Sequence, residues 1–220
     1  DTNKNYLCKE LTSNGVDVIE SRVIKDDVKK IISVINEVRK KYTYIFTTGG
    51  IGPTHDDVTS IAIAKAFKVN LVKNTKALKI LKKFYSSNML PLNEAREKMA
   101  LIPKGAELLH NPITKAAGFR MMNVYVMAGI PEIMEAMFKN IIKKIKCGTP
   151  EVSRTILFNI PESNIADCLS KVQKKFIEVE IGSYPFMKKE KRGVNVVLRS
   201  KEKDKLKKAE IEIKKMIKEL

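Results

Sequence analysis

Apolar residues at Val28, Ile31, Ile32, Ile35, Val38 and Tyr42 recur at three- and four-residue steps, and Lys29, Lys30, Glu37 and Lys40 fill the opposite face. That period predicts an amphipathic helix, with Asp26 placed to cap it. On either side the pattern changes. Residues 16–24 (VDVIESRVI) are rich in β-branched side chains and follow the helix stop Asn14-Gly15, so they read as a strand. Residues 42–48 (YTYIFTT) form an apolar run without alternation, as expected of a strand covered on both faces. Strand, helix, strand, loop and helix in this order mark a parallel α/β unit.

The pattern continues with a short strand at VNLV, a Lys-rich helix from Thr75, and a helical piece (NEAREKMA) between Pro91 and Pro103. AELLHNP and FRMMNVYVMA read as strands, and PEIMEAMFKNIIKKI as a closing helix. Methionines 121, 122, 127, 134 and 137 read as core filler. Around residues 146–153 the chain turns polar, with Gly148 and Pro150, which suggests a linker. Beyond it lie strand RTILFNI, helix ESNIADCLSKVQKKF, strand EVEIGSY, a basic turn, strand GVNVVLR, and a helix with Leu206, Ala209, Ile213, Met216 and Leu220 on one stripe. The division expected is an α/β domain over 1–147 and a small βαββα, α+β domain over 148–220. The helix-like opening suggests that an N-terminal strand and turn precede residue 1.

Composition narrows the classes. A chain of 220 residues with 44% hydrophobic content can bury one good core and a smaller second one. No apolar run reaches the ~18 residues of a membrane span, and no signal-peptide pattern opens the chain, so the cytoplasm is the expected compartment. Cys8, Cys147 and Cys168 lack Cys-x-x-Cys spacing and read as free thiols. A net charge of +17 invites nucleic acid as partner, but seven of the 42 basic residues are Arg and 35 are Lys, spread over nearly every element. Scattered Lys suits an evenly solvated surface, so nucleic acid is not expected. RGVNVVLR looks superficially like an RNA-recognition strand, yet Val194 and Val196 stand where stacking aromatics are needed, and MKKEKRG reads as a solvated hairpin turn.

The chemistry concentrates in TTGGIGPTHDDVTSIAIAKAF, where a Gly-rich loop joins an apolar strand to a helical pattern. Glycines at 49, 50 and 52 permit a sharp turn and let a ligand approach the main chain. Helix N-termini offer unpaired N–H groups, so phosphate or another anion is a natural occupant of a loop made by Thr48, Gly49, Gly50, Gly52 and Pro53; a tight turn is the alternative. Asp56 and Asp57 leave two readings open. Thr54 and Asp57 have capping-box spacing, and one carboxylate could instead hold a divalent cation beside the phosphate. His55 reads as solvated. VYVMAGIPEIMEAMF repeats the design, with Gly129 and with Pro131 at a first helical position. If the two strands are neighbours, both loops line one crevice at the carboxyl ends of the strands.

TTGGIGPTHDDVT, IPKGAELLHNP, AAGFR and VYVMAGIPEIMEAM together resemble the molybdopterin-binding (MoaB/Mog-like) domain as it occurs at the N-terminus of competence/damage-inducible protein A (CinA) and, similarly, of some FAD synthases. EIGSYPF and GVNVVLR resemble the small domain that follows there. The resemblance implies a doubly wound, mostly parallel α/β sheet with its ligand at the strand ends. It places the family's glycines on Gly49, Gly50 and Gly52, its acidic residue on Asp57, and its later loop on Gly129 and Pro131. Thr114, Lys115 and Ala117 stand where many CinA proteins read Gly, Thr and Pro, and Lys115 joins the candidate ligand-binding set.

CinA-like and FAD-synthase relatives are associated with metal-dependent hydrolysis of nucleotide diphosphates such as ADP-ribose and FAD, and Mog-like relatives bind molybdopterin. The resemblance therefore implies a pyrophosphatase, with Asp57 and Asp56 as catalytic carboxylates, Asp57 on a Mg²⁺-type divalent cation, and the glycine loop on phosphate. The alternative is a molybdopterin- or nucleotide-binding protein without catalysis. The partners expected are a small nucleotide or pterin ligand and a second copy in a homo-oligomer such as a dimer. No nicotinamide-nucleotide amidase or FAD synthetase activity is implied for these 220 residues.

Overall fold

The computed structural model describes residues 2–188 and 191–218. In chain order the elements are α1 (Thr2–Ser13), α2 (Val28–Val38), β1 (Ile45–Thr48), α3 (Thr59–Ala66), β2 (Leu71–Lys73), α4 (Thr75–Ser87), α5 (Glu94–Glu97), β3 (Leu101–Pro103), β4 (Glu107–Leu109), β5 (Gly118–Met121), β6 (Val124–Met127), α6 (Pro131–Ile141), β7 (Val152–Phe158), α7 (Glu162–Lys175), β8 (Glu180–Lys188), β9 (Lys191–Ser200) and α8 (Lys203–Lys218). They divide into two compact units, Asp1–Lys9 with Val18–Lys146 and Glu10–Asp17 with Cys147–Leu220.

The first unit is built on a four-stranded sheet in the order β1-β6-β5-β4. β1 and β6 run parallel, and the β6–β5 and β5–β4 pairs are antiparallel. FRMMNVYVMA, expected as one strand, folds as the β5–β6 hairpin about Met122 and Asn123, because so short a link joins only antiparallel strands. Met122 takes a positive φ of 52° and lies 71% exposed, outside the core where it was expected. Asn123 ties the hairpin to the preceding crossover by donating to the carbonyls of Arg39 at 3.0 Å and Tyr42 at 2.8 Å.

Both faces of this sheet are covered. Val124 and Val126 pack with Ile31 and Ile35 of α2 and Ala62, Ile63 and Ala66 of α3. On the alternate positions Tyr125 meets Phe46 at 5.2 Å between ring centroids, and Phe46 meets Phe138 of α6 edge-on at 5.6 Å. Met127, Met134 and Met137 are fully buried, as core fillers.

Two local expectations are corrected, and a third element forms as expected but in a sheet of its own. Residues 16–24 form no strand: Ile19 and Val23 are 72% and 80% exposed, and no described strand pairs with them. β-branched side chains favour extended backbone, but a strand also needs a neighbour for its N–H and C=O groups. The cap of α2 is Asp27 rather than Asp26, since the Asp27 carboxylate accepts from the Lys30 N–H at 2.7 Å. The strand foreseen at VNLV is β2, which pairs antiparallel with β3 in a separate two-stranded sheet.

The second unit has the expected βαββα order. Its antiparallel sheet β7-β9-β8 presents Ile156, Val194, Val196 and Leu198 to Ile165, Cys168 and Val172 of α7 and Leu206, Ala209 and Ile213 of α8. Lys189 and Glu190 of the basic turn, and Leu220 of the final stripe, lie outside the described residues.

Candidate functional site

The parallel register of β1 and β6 brings the two glycine loops together. Thr48 pairs with Met127, and the Gly49 N–H continues the ladder by donating to the Met127 carbonyl at 3.0 Å. A methyl group on Gly129 would press on Gly49 Cα at 3.0 Å, so the loops touch through bare main chain. Gly50 has a φ of +67°, and its carbonyl accepts from the Thr59 N–H at 2.9 Å at the start of α3; a Cβ there would lie 2.1 Å from Thr59 Oγ1. Because the Gly49 N–H is already used, the donors left to a ligand are those of Gly50, Ile51 and Gly52, which bond no acceptor among the described residues.

The aspartates sit before the helix rather than in it. α3 starts at Thr59 with Val58 as N-cap and no side-chain cap. Asp57 Oδ2 instead accepts from the Thr54 N–H at 2.9 Å and lies 2.5 Å from Thr54 Oγ1. It closes a turn in the loop and lies against Gly52, where an added Cβ would meet it at 2.6 Å. Asp56 Oδ1 also lies 2.6 Å from Thr54 Oγ1. One hydroxyl has one proton, so it donates to only one carboxylate at a time. The Thr54 hydroxyl, followed by Asp56's own backbone N–H, holds the Asp56 carboxyl below its ordinary range.

Two anionic carboxylates converge on a single hydroxyl, with oxygens left over. Hard oxygen ligands of this kind suit Mg²⁺, which binds through one or two carboxylates plus water and substrate phosphates. No group of three or more His, Cys, Asp or Glu side chains able to hold a metal occurs among the described residues.

The remaining expected residues share this end of the sheet by register. Leu109 pairs with Gly118 and Phe119 with Val126, so the loop 110–117 leaves the same edge as the loops after β1 and β6. Within it Asn111, 1% exposed, accepts from the N–H groups of Ile113 and Thr114 and donates to Thr114 Oγ1 and the Ala116 carbonyl. Lys115 has a φ of 62°, and its ammonium donates to the Pro112 carbonyl at 2.7 Å. Thr48 ends β1, Pro53 lies in the loop, and Pro131 opens α6, whose N-cap Ile130 supplies no side-chain bond. Asn3 escaped the sequence reading. It is 7% exposed, and its Nδ2 donates to the Gly129 carbonyl at 2.6 Å across 126 residues. As a polar residue within a helical opening it carried no distinguishing signal.

Residues 1–147 match the family described as a probable molybdopterin binding domain. The chain belongs to this family. The molybdopterin-binding-type domain is followed, over 150–220, by a match to the FAD synthase middle domain. A protein of Archaeoglobus fulgidus is 35% identical over 209 residues, covering 94% of this chain and 86% of its own length. One from Pyrococcus furiosus is 34% identical with the same coverages. Among solved structures, the CinA protein of unknown function from Thermoplasma acidophilum is similar at a TM-score of 0.59 and 31% identity, over 65% of this chain and 87% of that one. In the molybdopterin-binding-type domain the glycine loops and the Asp56–Asp57 pair fall at one sheet edge. No helix among the described residues is long and apolar enough to cross a membrane.

Proposed function

We propose that this chain is a metal-dependent nucleotide-diphosphate pyrophosphatase of the ADP-ribose or FAD type. One observation carries the reading: the unbonded N–H groups of Gly50, Ile51 and Gly52 adjoin two carboxylates that share the Thr54 hydroxyl. Donors for a phosphate beside groups that repel it make chemical sense when a cation lies between them. The match of the second unit to the FAD synthase middle domain supports a nucleotide as the phosphate carrier.

The N–H groups would orient one phosphate of the substrate, while Asp57, with Asp56 beside it, would hold a Mg²⁺-type cation. When bound, the cation supplies charge neutralisation and a more acidic water. Hydrolysis adds water across the P–O–P bridge: its oxygen bonds one phosphorus, and the bridging oxygen leaves with the other phosphate. ADP-ribose would give AMP and ribose phosphate, and FAD would give FMN and AMP. Asp56, held ionised below the ordinary carboxyl range, stays a ligand at neutral pH.

Assaying the full chain on ADP-ribose and FAD with Mg²⁺ or Mn²⁺ tests this. Turnover that falls at least about a hundredfold in Asp57→Asn is expected, on the scale of losing a metal's contribution; no turnover, or turnover indifferent to Asp57→Asn, overturns it. A second reading, a molybdopterin- or nucleotide-binding domain without catalysis, draws on the match of residues 1–147 to the probable molybdopterin binding domain. Saturable molybdopterin binding with no metal-dependent hydrolysis would favour it.

A further inference from the structure

We infer that Asn3 is a positioning residue that turns the Gly129–Ile130 peptide so that the Ile130 N–H faces outward as a donor to the second phosphate of a diphosphate ligand. The inference rests on the proposed anion cradle. It starts from a contact that side-chain packing does not enforce. Gly49 and Gly129 meet through main chain alone, so beyond the ladder bond from the Gly49 N–H to the Met127 carbonyl no side chain of either glycine fixes how the Gly129 peptide faces. Asn3 supplies that constraint through the bond from its Nδ2 to the Gly129 carbonyl.

The consequence follows from peptide geometry. No cis peptide bond occurs among the described residues, and in a trans peptide the C=O and the following N–H point in opposite directions. Fixing the Gly129 oxygen on a side chain that is 7% exposed directs the Ile130 N–H away from the buried side. Ile130 is 60% exposed, and its N–H bonds no acceptor among the described residues. It is also the N-cap of α6, which has no side-chain cap, and Pro131 brings no N–H of its own, so the donor stands at the positive end of an 11-residue helix.

A second observation marks the same corner. Since a carbonyl only accepts, the amide nitrogen of Asn3 must face Gly129, and this leaves Asn3 Oδ1 buried without a partner. Buried polar groups are nearly always satisfied, and a residue kept polar here for one bond to one loop is spent on orienting that loop.

The test titrates full-length wild type, Asn3→Asp and Asn3→Ala with ADP-ribose and with AMP in Mg²⁺, with thermal melts alongside. Asn3→Asp keeps the shape and removes the donor; Asn3→Ala introduces no charge and keeps the test open if a buried carboxylate prevents folding. ADP-ribose affinity should fall about tenfold, the scale of one hydrogen bond to a charged group, with AMP affinity unchanged. Equal losses for both nucleotides, or none, overturn the inference. If wild type binds neither, the anion-cradle reading fails. The orienting role is then decided by the Ile130 amide NMR signal, which should shift in the variants and whose constancy would overturn it.

Discussion

Asp57 shows how a single carboxylate can fit a helix-capping spacing and still do something else. The Thr54–Asp57 interval is legible in the sequence, but the bond it makes closes a turn over residues 54–57 that ends two residues before α3, where the Gly50 carbonyl engages the Thr59 N–H. Sequence spacing reveals that a side chain can reach back three residues, and it does not reveal which backbone it will find there. The glycines around it are more predictable. Gly50→Ala combines a left-handed φ with a clash on Thr59 and should lower stability by roughly 1–3 kcal/mol in urea unfolding. Under the proposed function, Gly52→Ala should displace Asp57 and weaken Mg²⁺ binding, measured by calorimetry, at smaller cost to stability.

At the level of elements, periodicity located most helices and strands, and it failed where partnering decided the outcome. Residues 16–24 have strand-like side chains and no described strand beside them. This segment is tied down by side chains instead: Arg22 clasps Glu37 of α2 through two bonds of 2.8 and 2.9 Å, Tyr42 donates a hydrogen bond to Glu20 at 2.7 Å, and Ile24 packs against the core. Arg22, and then Lys41, hold the Glu37 carboxyl down at about 2. A depressed folded-state value means that the clasp contributes fully above the ordinary carboxyl range and is lost as pH falls through about 2. The protection of residues 16–27 against hydrogen exchange, taken relative to the intrinsic rate at each pH, should therefore fall between pH 4.5 and pH 2, ahead of the core. Glu37→Gln should produce the same loosening at pH 7.

Across the whole molecule, the buried cluster that holds Phe119 and the one that holds Ile213 belong to separate units and should respond separately. Phe119→Ala should cost about 3–5 kcal/mol and Ile213→Ala about 2–5 kcal/mol. Segment-resolved hydrogen exchange should place each loss in its own unit, with Phe119 in the first cluster and Ile213 in the second. The strand that superficially resembles an RNA-recognition strand lacks its stacking positions: Val194 and Val196 are fully buried under α7 and α8, so β9 offers no stacking face there. A labelled single-stranded RNA should show no retardation at moderate salt, and a retained complex would contradict this.

The cradle of main-chain donors has a consequence for its acid–base behaviour. Peptide N–H groups at Gly50, Ile51 and Gly52 do not titrate, and Asp56 is already ionised well below neutrality. Between pH 5 and 8 these donors are therefore electrostatically constant. In a variant with His55→Gln and His110→Gln, which removes both histidines of the chain, any pH profile of binding in that window should trace the second ionisation of the ligand's own terminal phosphate, and should vanish for a diester that lacks one.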